Sequence, residues 1–229
     1  MQAGRRRFHD EMDALVMELA RMGELAERAL TDALESLARR DPILADRVIA
    51  GDDEIDASYL ETERRVLDLL ALQTPVASDL RLVSAVLHTN LHLERVGDIA
   101  VNIAKFGKLT LDWPSDDAVI RQLREMADIA VNMLRVAMSA FIRRDLELAL
   151  SLPQMDDPVD RINRGMYREV TRLALDADPR ALEWGIHMNS VSRQLERSAD
   201  QAVDIGEQVA FLLTGEFREF TDASHPVAP

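Results

Sequence analysis

The chain has 229 residues, 41 acidic against 27 basic, giving a net charge of −14, and it contains no cysteine. That balance opposes a broad phosphate-backbone footprint for nucleic acid and suits cations or basic partner surfaces. The missing thiols exclude a disulfide framework, a thiolate metal site and a cysteine nucleophile, and they fit a reducing compartment. With 47% hydrophobic but only 4% aromatic residues, and long stretches rich in Ala, Leu, Glu, Arg and Asp, the composition predicts an all-α protein with a substantial core.

Arg5-Arg6-Arg7 leads into Phe8-His9-Asp10-Glu11 rather than an apolar run, so no secretory signal is read there. A first helix is expected from about Phe8 to Arg39, where Met12, Leu15, Leu19, Met22, Ala26, Ala29, Ala33 and Leu37 recur at steps of three and four. Asp41-Pro42 supplies an N-cap and a first-turn proline for a second helix through Ile43, Val48 and Ile55 to Leu72, with Gly51 a weak point near its middle. Thr74-Pro75 repeats the start signal for a third helix carrying Leu80, Leu87, Glu94 and Val101 at seven-residue intervals, and Trp113-Pro114-Ser115 closes the unit. A fourth helix is expected from about Asp116 to Ile142, a fifth from Asp145 to about Leu175 and a sixth from Pro179 to Leu213, ended by Thr214-Gly215. No segment approaches the roughly 18 uninterrupted apolar residues of a membrane span.

The second half repeats the first. Leu93-Glu94-Arg95-Val96-Gly97-Asp98-Ile99-Ala100-Val101-Asn102 returns as Leu195-Glu196-Arg197-Ser198-Ala199-Asp200-Gln201-Ala202-Val203-Asp204. Arg39-Arg40-Asp41 returns as Arg143-Arg144-Asp145, and Asp52-Asp53-Glu54-Ile55-Asp56 as Asp156-Asp157-Pro158-Val159-Asp160. Three anchors in the same order predict two tandem three-helix bundles, residues 1–112 and 113–215, with antiparallel neighbours and a disordered tail over 216–229.

Each repeat sets a Glu and an Asp four residues apart, which stacks both carboxylates on one helix face with Cβ atoms roughly 5–6 Å apart. Such a pair repels itself unless a cation joins it. Glu94 and Asp98 also interrupt a stripe of Leu80, Leu87 and Leu91, where a buried carboxylate needs a partner unless the stripe leaves the bundle at that level. If Asp52 and Asp56 on the antiparallel second helix lie level with them, four carboxylates meet, an oxygen-only set that favours Mg²⁺, Ca²⁺, Mn²⁺ or Fe. The alternative is a set of solvated acids answered by arginines.

In the second repeat, a helix restarting at Pro158 would take Asp157 as its cap and remove Asp156 from the face, and Arg193 stands where it can pair with Glu196. His88 and His92 have zinc-like spacing but point about 100° away from the acids, and are read as partly exposed polar residues. No phosphate loop, catalytic triad or Glu-x-x-His occurs, so neither an enzyme in general nor a ferritin-like di-metal enzyme is expected.

Leu19-Ala20-Arg21-Met22-Gly23, Gln73-Thr74-Pro75-Val76-Ala77-Ser78-Asp79-Leu80-Arg81, Leu93 to Asp98 with Asn102-Ile103-Ala104, and Leu195-Glu196-Arg197 with Asp200 and Leu213-Thr214-Gly215 give the chain its family likeness. In their order and spacing it resembles the PhoU family of phosphate-specific transport accessory and regulatory proteins. The resemblance implies surface metal sites for Mn, Mg or multinuclear Fe, with Glu94, Asp98, Asp52, Asp56 and the following Asn102 at one, and Glu196, Asp200, Asp156, Asp160 and Asp204 at the other. Asp204 stands where the family has Asn, and Ala199 where it has Gly. The resemblance further implies a cytoplasmic, metal-binding adaptor, peripheral to the membrane through its partners, between the ATP-binding subunit of the phosphate ABC transporter and a phosphate-sensing histidine kinase. Its expected effect is to repress phosphate-starvation genes when phosphate is plentiful. Alternatives are service to another phosphate transporter, or carboxylate-based metal binding and storage. A homodimer suits such long amphipathic helices.

Overall fold

The computed structural model describes residues 2–175 and 178–220, with side chains from residue 8 onward. Six helices account for it: α1 (Gln2–Arg39), α2 (Pro42–Leu72), α3 (Ser78–Leu109), α4 (Asp117–Arg143), α5 (Leu146–Leu175) and α6 (Pro179–Thr214), with no strand among the described residues. Short polar side chains start most of them. Asp41 accepts from the N–H groups of Ile43 and Leu44, Asp116 from Ala118 and Val119, Asp145 from Glu147 and Leu148, and Asp178 from Arg180. Each satisfies N–H groups that the first helical turn leaves without partners. Gly215, in the left-handed region at φ 78°, ends α6.

Three expectations change. α3 opens at Ser78 rather than beside Pro75, because Ala77 takes φ 49°, ψ −117°, outside the helical region, and Thr74 caps nothing. α1 extends back to Gln2, passing through Gly4, since no proline precedes Phe8. α5 runs unbroken through Pro153 and Pro158. Each interior proline removes a hydrogen bond at a cost of about 3 kcal/mol, and the fully buried Leu152, Val159 and Met166 hold the helix against its neighbours across both breaks. Asp157 therefore caps no helix, and Asp156 stays on the helical face.

Within each repeat the helices alternate in direction. Ser58 on α2 donates to Glu18 on α1, and Asn90 on α3 donates to the Tyr59 carbonyl. Between repeats, equivalent helices pack antiparallel. α1 meets α4 through Gly23 against Met138, Glu27 with Arg135 and Glu35 with Arg124. α3 meets α6 through Arg81 on the Leu212 carbonyl, His92 beside Gln201, and Phe106 against His187. This relates the repeats by an approximate two-fold axis perpendicular to the helices, with α1, α3, α4 and α6 as the inner square and α2 and α5 outside. The buried side chains form one cluster that runs through both repeats, so the two bundles share a core. The linker is pinned by Trp113, whose carbonyl accepts from Arg40 and whose ring lies 5.4 Å from that of His187.

The first residues of the expected tail, up to Phe220, make defined contacts. Phe217 stacks on Phe211 at 3.8 Å, and Phe220 packs against the core with its N–H donating to Glu207 Oε1 at 2.7 Å. The Phe211–Phe217 ring stack, the partly buried Phe220 ring and one carboxylate acceptor hold residues 217–220; residues 221–229 lie outside the described residues.

α5 packs closely on α6 at Gly206, where a Cβ would stand 2.6 Å from Leu152 Cδ1 and 3.2 Å from the Ala149 carbonyl oxygen. Gly206→Leu should therefore lower unfolding stability by about 1–3 kcal/mol despite leucine's better helix propensity. Urea unfolding checks this, and an unchanged midpoint would show that α5 gives way freely there.

Candidate functional site: two carboxylate clusters

The α2–α3 groove opens away from α1, and the α5–α6 groove away from α4, so both look out on the side of the molecule that α3 and α6 form. Because His92 stands level with Gln201 in antiparallel helices, Glu94 and Asp98 lie at the same height as Glu196 and Asp200. The predicted acids of both repeats thus lie on one side of the fold, at one level.

In the first cluster, α2 comes so near α3 that a Cβ on Gly97 would stand 2.8 Å from Asp52 Oδ1 and 3.1 Å from Ile55 Cδ1. Having no Cβ, Gly97 leaves that space to the Asp52 carboxylate, whose charge is felt alongside those of Glu94 and Asp98. Burial, reinforced by the charges of Asp56, Asp98, Glu94 and Asp53, raises the Asp52 pKa to about 6. Burial also raises Glu94, with Asp98 and Asp56 adding to it and Arg95 opposing. Asp56 and Asp98 are exposed, as is Asn102, which makes no side-chain hydrogen bond. The stripe of Leu80, Leu87 and Leu91 is only partly covered, so these acids stand on the rim of the bundle and the stripe leaves the core at their level.

The second cluster is the deeper one, against the sequence expectation. Asp156 is only 8% exposed and its Oδ1 has no hydrogen-bond partner. Burial raises its pKa to about 7, with Asp200, Asp160, Glu196 and Asp157 all pushing the same way. Asp200 rises to about 6, from burial first and then from Glu196, Asp204 and Asp160, with Arg197 opposing. Glu196 is raised by burial and Asp160 against the pull of Arg193 and Arg197; Arg193 bears on it without forming an ion pair. Asp160 is paired with Arg164 at 2.8 Å. Ala199 is buried where the first repeat has Gly97.

His92 also departs from the expectation of a partly exposed polar residue. His92 is buried, with Nδ1 3.0 Å from Gln201 Oε1 and 3.6 Å from Asp204 Oδ2, so it joins the first repeat to the edge of the second cluster. Gln194, Gln201 and Gln208 recur every seven residues along α6, a polar ladder that marks the face receiving it, and the Oε1 atoms of Gln194 and Gln208 are buried without partners. His88, one turn away, is exposed.

The donors are hard oxygens, which favour Mg²⁺, Ca²⁺, Mn²⁺ or Fe over copper or zinc. Among the described residues no three acidic or histidine side chains already converge on an ion-sized point. The unpartnered Asp156 oxygen and the repulsion around it nevertheless fit a cation that draws its neighbours inward. No helix of the described residues is long and apolar enough to cross a membrane.

Fold and site together define an all-helical tandem-repeat protein with a carboxylate cluster in each repeat. The PhoU domain model matches it twice, over residues 19–106 and 123–209. The chain belongs to the PhoU family. It is 34% identical over 209 residues to the phosphate-specific transport system accessory protein PhoU homolog of Caulobacter vibrioides, covering 91% of this chain and 90% of that protein. The homolog of that name in Pseudomonas aeruginosa is 32% identical over 218 residues, 95% of this chain and 88% of that one. The crystal structure of PhoU from Pseudomonas aeruginosa aligns with TM-score 0.86 at 32% identity, covering 91% of this chain and 100% of that chain. That of the phosphate transport system regulatory protein PhoU from Streptococcus pneumoniae aligns with TM-score 0.83 at 29% identity, covering 93% and 99%.

The raised acids predict a pH effect of defined sign. A carboxylate whose pKa climbs from 3.8 when unfolded to about 7 when folded contributes stability below about pH 4 that is lost as pH rises through 7. Chelator-treated protein should melt at a higher temperature at pH 5 than at pH 8, and Asp156→Asn should flatten that drop without abolishing it, since Asp52 and Asp200 still titrate. Calorimetry at the two pH values decides; an undiminished drop in the variant would remove Asp156 as a source.

Proposed function

We propose that this protein is an accessory regulator of phosphate uptake, a cytoplasmic helical adaptor between the ATP-binding subunit of a phosphate ABC transporter and a phosphate-sensing histidine kinase. It holds phosphate-starvation genes down when phosphate is plentiful. The observation that carries this reading is the match of both repeats, along nearly the whole chain, to proteins described as accessory to phosphate-specific transport. The site supports it. Two acidic clusters at one height on one side offer a patterned surface to basic partner groups, and among the described residues no nucleophile with an orienting base stands near them.

In this role Asp52, Asp56, Glu94 and Asp98 would hold one oxygen-ligated ion, and Asp156, Asp160, Glu196 and Asp200 another. A bound ion supplies positive charge that offsets the repulsion among these acids. Asp204, beside His92, flanks the second set, and Asn102 flanks the first. The protein's own groups set the geometry: Gly97 admits Asp52 to the groove, and the continuous α5 presents Asp156 to Glu196 and Asp200.

In the source cell, deletion should derepress a phosphate-starvation reporter at high phosphate, and wild-type protein should restore repression. The double variant Glu94→Ala, Asp98→Ala should fail to restore it while keeping its helical circular dichroism, because both changes favour helix and remove a like-charge contact. Wild-type protein should also capture the transporter's ATP-binding subunit from that cell. A reporter unmoved by deletion would overturn the regulatory reading and favour service to another phosphate transporter, or cation storage.

A further inference from the structure

The two clusters correspond position for position, and three of their differences bear on the buried carboxylate and its neighbours. Asp52 keeps access to solvent, whereas Asp156 is 8% exposed with one oxygen that nothing reaches. Asp98 is exposed, whereas Asp200 is partly covered. Four residues after Asp56 the first repeat has Leu60, 65% exposed, while four residues after Asp160 the second has Arg164, paired with Asp160.

These differences act in opposite directions, and the geometry settles which prevails. Arg164 is 68% exposed and its pair with Asp160 is a surface one, which contributes little and is easily exchanged. It does not reach Asp156, where the neighbouring charges of Asp157, Asp160, Glu196 and Asp200 are all negative. A carboxylate withdrawn from water and given no donor gains from a cation what an exposed one already receives from solvent. Burial therefore outweighs the arginine.

We infer that the clusters load in order: the second, built on Asp156, takes a divalent cation first and more tightly, Arg164 releasing Asp160 as it does, and the first fills afterwards. This rests on the metal-binding reading above and adds to it a rank and a built-in competitor. The consequence is graded: at low cation supply only the second repeat changes charge, and only at higher supply does the first.

The test is titration of full-length, chelator-treated protein with Mn²⁺, followed by the electron paramagnetic resonance signal of the free ion and by calorimetry. Wild type should show a tighter and a weaker phase. Asp156→Asn, which keeps the side chain's shape and removes a buried charge, should weaken the tighter phase by about tenfold or more, and Asp200→Asn should act likewise. Asp52→Asn should leave that phase intact and weaken the other. Arg164→Leu, which copies the first repeat's Leu60, should tighten the first phase a few-fold. Loss of the tighter phase in Asp52→Asn, or two phases equally affected by each variant, overturns the ordering and leaves metal binding standing. No Mn²⁺ uptake by wild type overturns the metal-binding reading and this inference together. Circular dichroism of each variant separates a lost ligand from a lost fold.

Discussion

Four of the six helices must satisfy neighbours in both repeats at once, and that double demand governs the molecule. α3 and α6 are buried on several sides, from Val83, Val86, Leu93 and Ile103 on one to Met188, Leu195, Ala202 and Val209 on the other. A helix apolar over most of its circumference belongs in the interior. Packing equivalent helices antiparallel covers these faces with a continuous core, and it also brings the two acid-bearing segments to the same height. Small residues set the spacing: Gly23 lies against Met138 and Gly107 against Leu37, each where a larger side chain would push helices apart.

With the inner square fixed, α2 and α5 are left as outer helices covering one side each, and the grooves they form with α3 and α6 are where charge can accumulate. Acids placed there are neither in the core nor in open water. Their proton affinity rises because burial removes solvent while neighbouring carboxylates add repulsion. The same geometry that closes the core therefore produces two places of uncompensated negative charge, and the depth of each groove decides how uncompensated it is.

Much of this was legible in the sequence, and what was not has identifiable causes. The cap at Asp41 and the helix starts at Asp116 and Asp145 could be read because N-terminal signals are local chemistry, and the repeat could be read because it preserves order as well as composition. Pro158 misled because a proline's local cost says nothing about the packing that offsets it. Leu152 and Val159, apolar on either side of it, were the available sign that the helix is held from outside. His92 misled because its burial is supplied by a helix more than a hundred residues away. The seven-residue spacing of Gln194, Gln201 and Gln208 pointed to a polar inter-repeat face, but only the antiparallel packing of α3 on α6 tells which residue meets it. The start of α3 depends on Ala77 at positive φ, which no alanine announces.

The His92 contact has a further meaning for how the halves relate. Asp204 adds to the charge that raises Asp200 and also stands 3.6 Å from His92 Nδ1, so one carboxylate belongs at once to the second cluster and to the seam between repeats. Gln201, one turn before it, hydrogen-bonds the same ring. A change of charge in the second groove therefore acts on a buried group of the first repeat over a few ångströms, without passing through the length of a helix. Glu94 is two residues from His92 on α3. Coupling requires a physical connection with different energies in its two states; the buried imidazole, 3.0 Å from the Gln201 amide oxygen and 3.6 Å from the Asp204 carboxylate, is the contact that joins the two acid-bearing helices at this level. Two independent bundles on a flexible tether would have no such contact; here the continuous core and the His92 contact join the repeats at the level of both clusters.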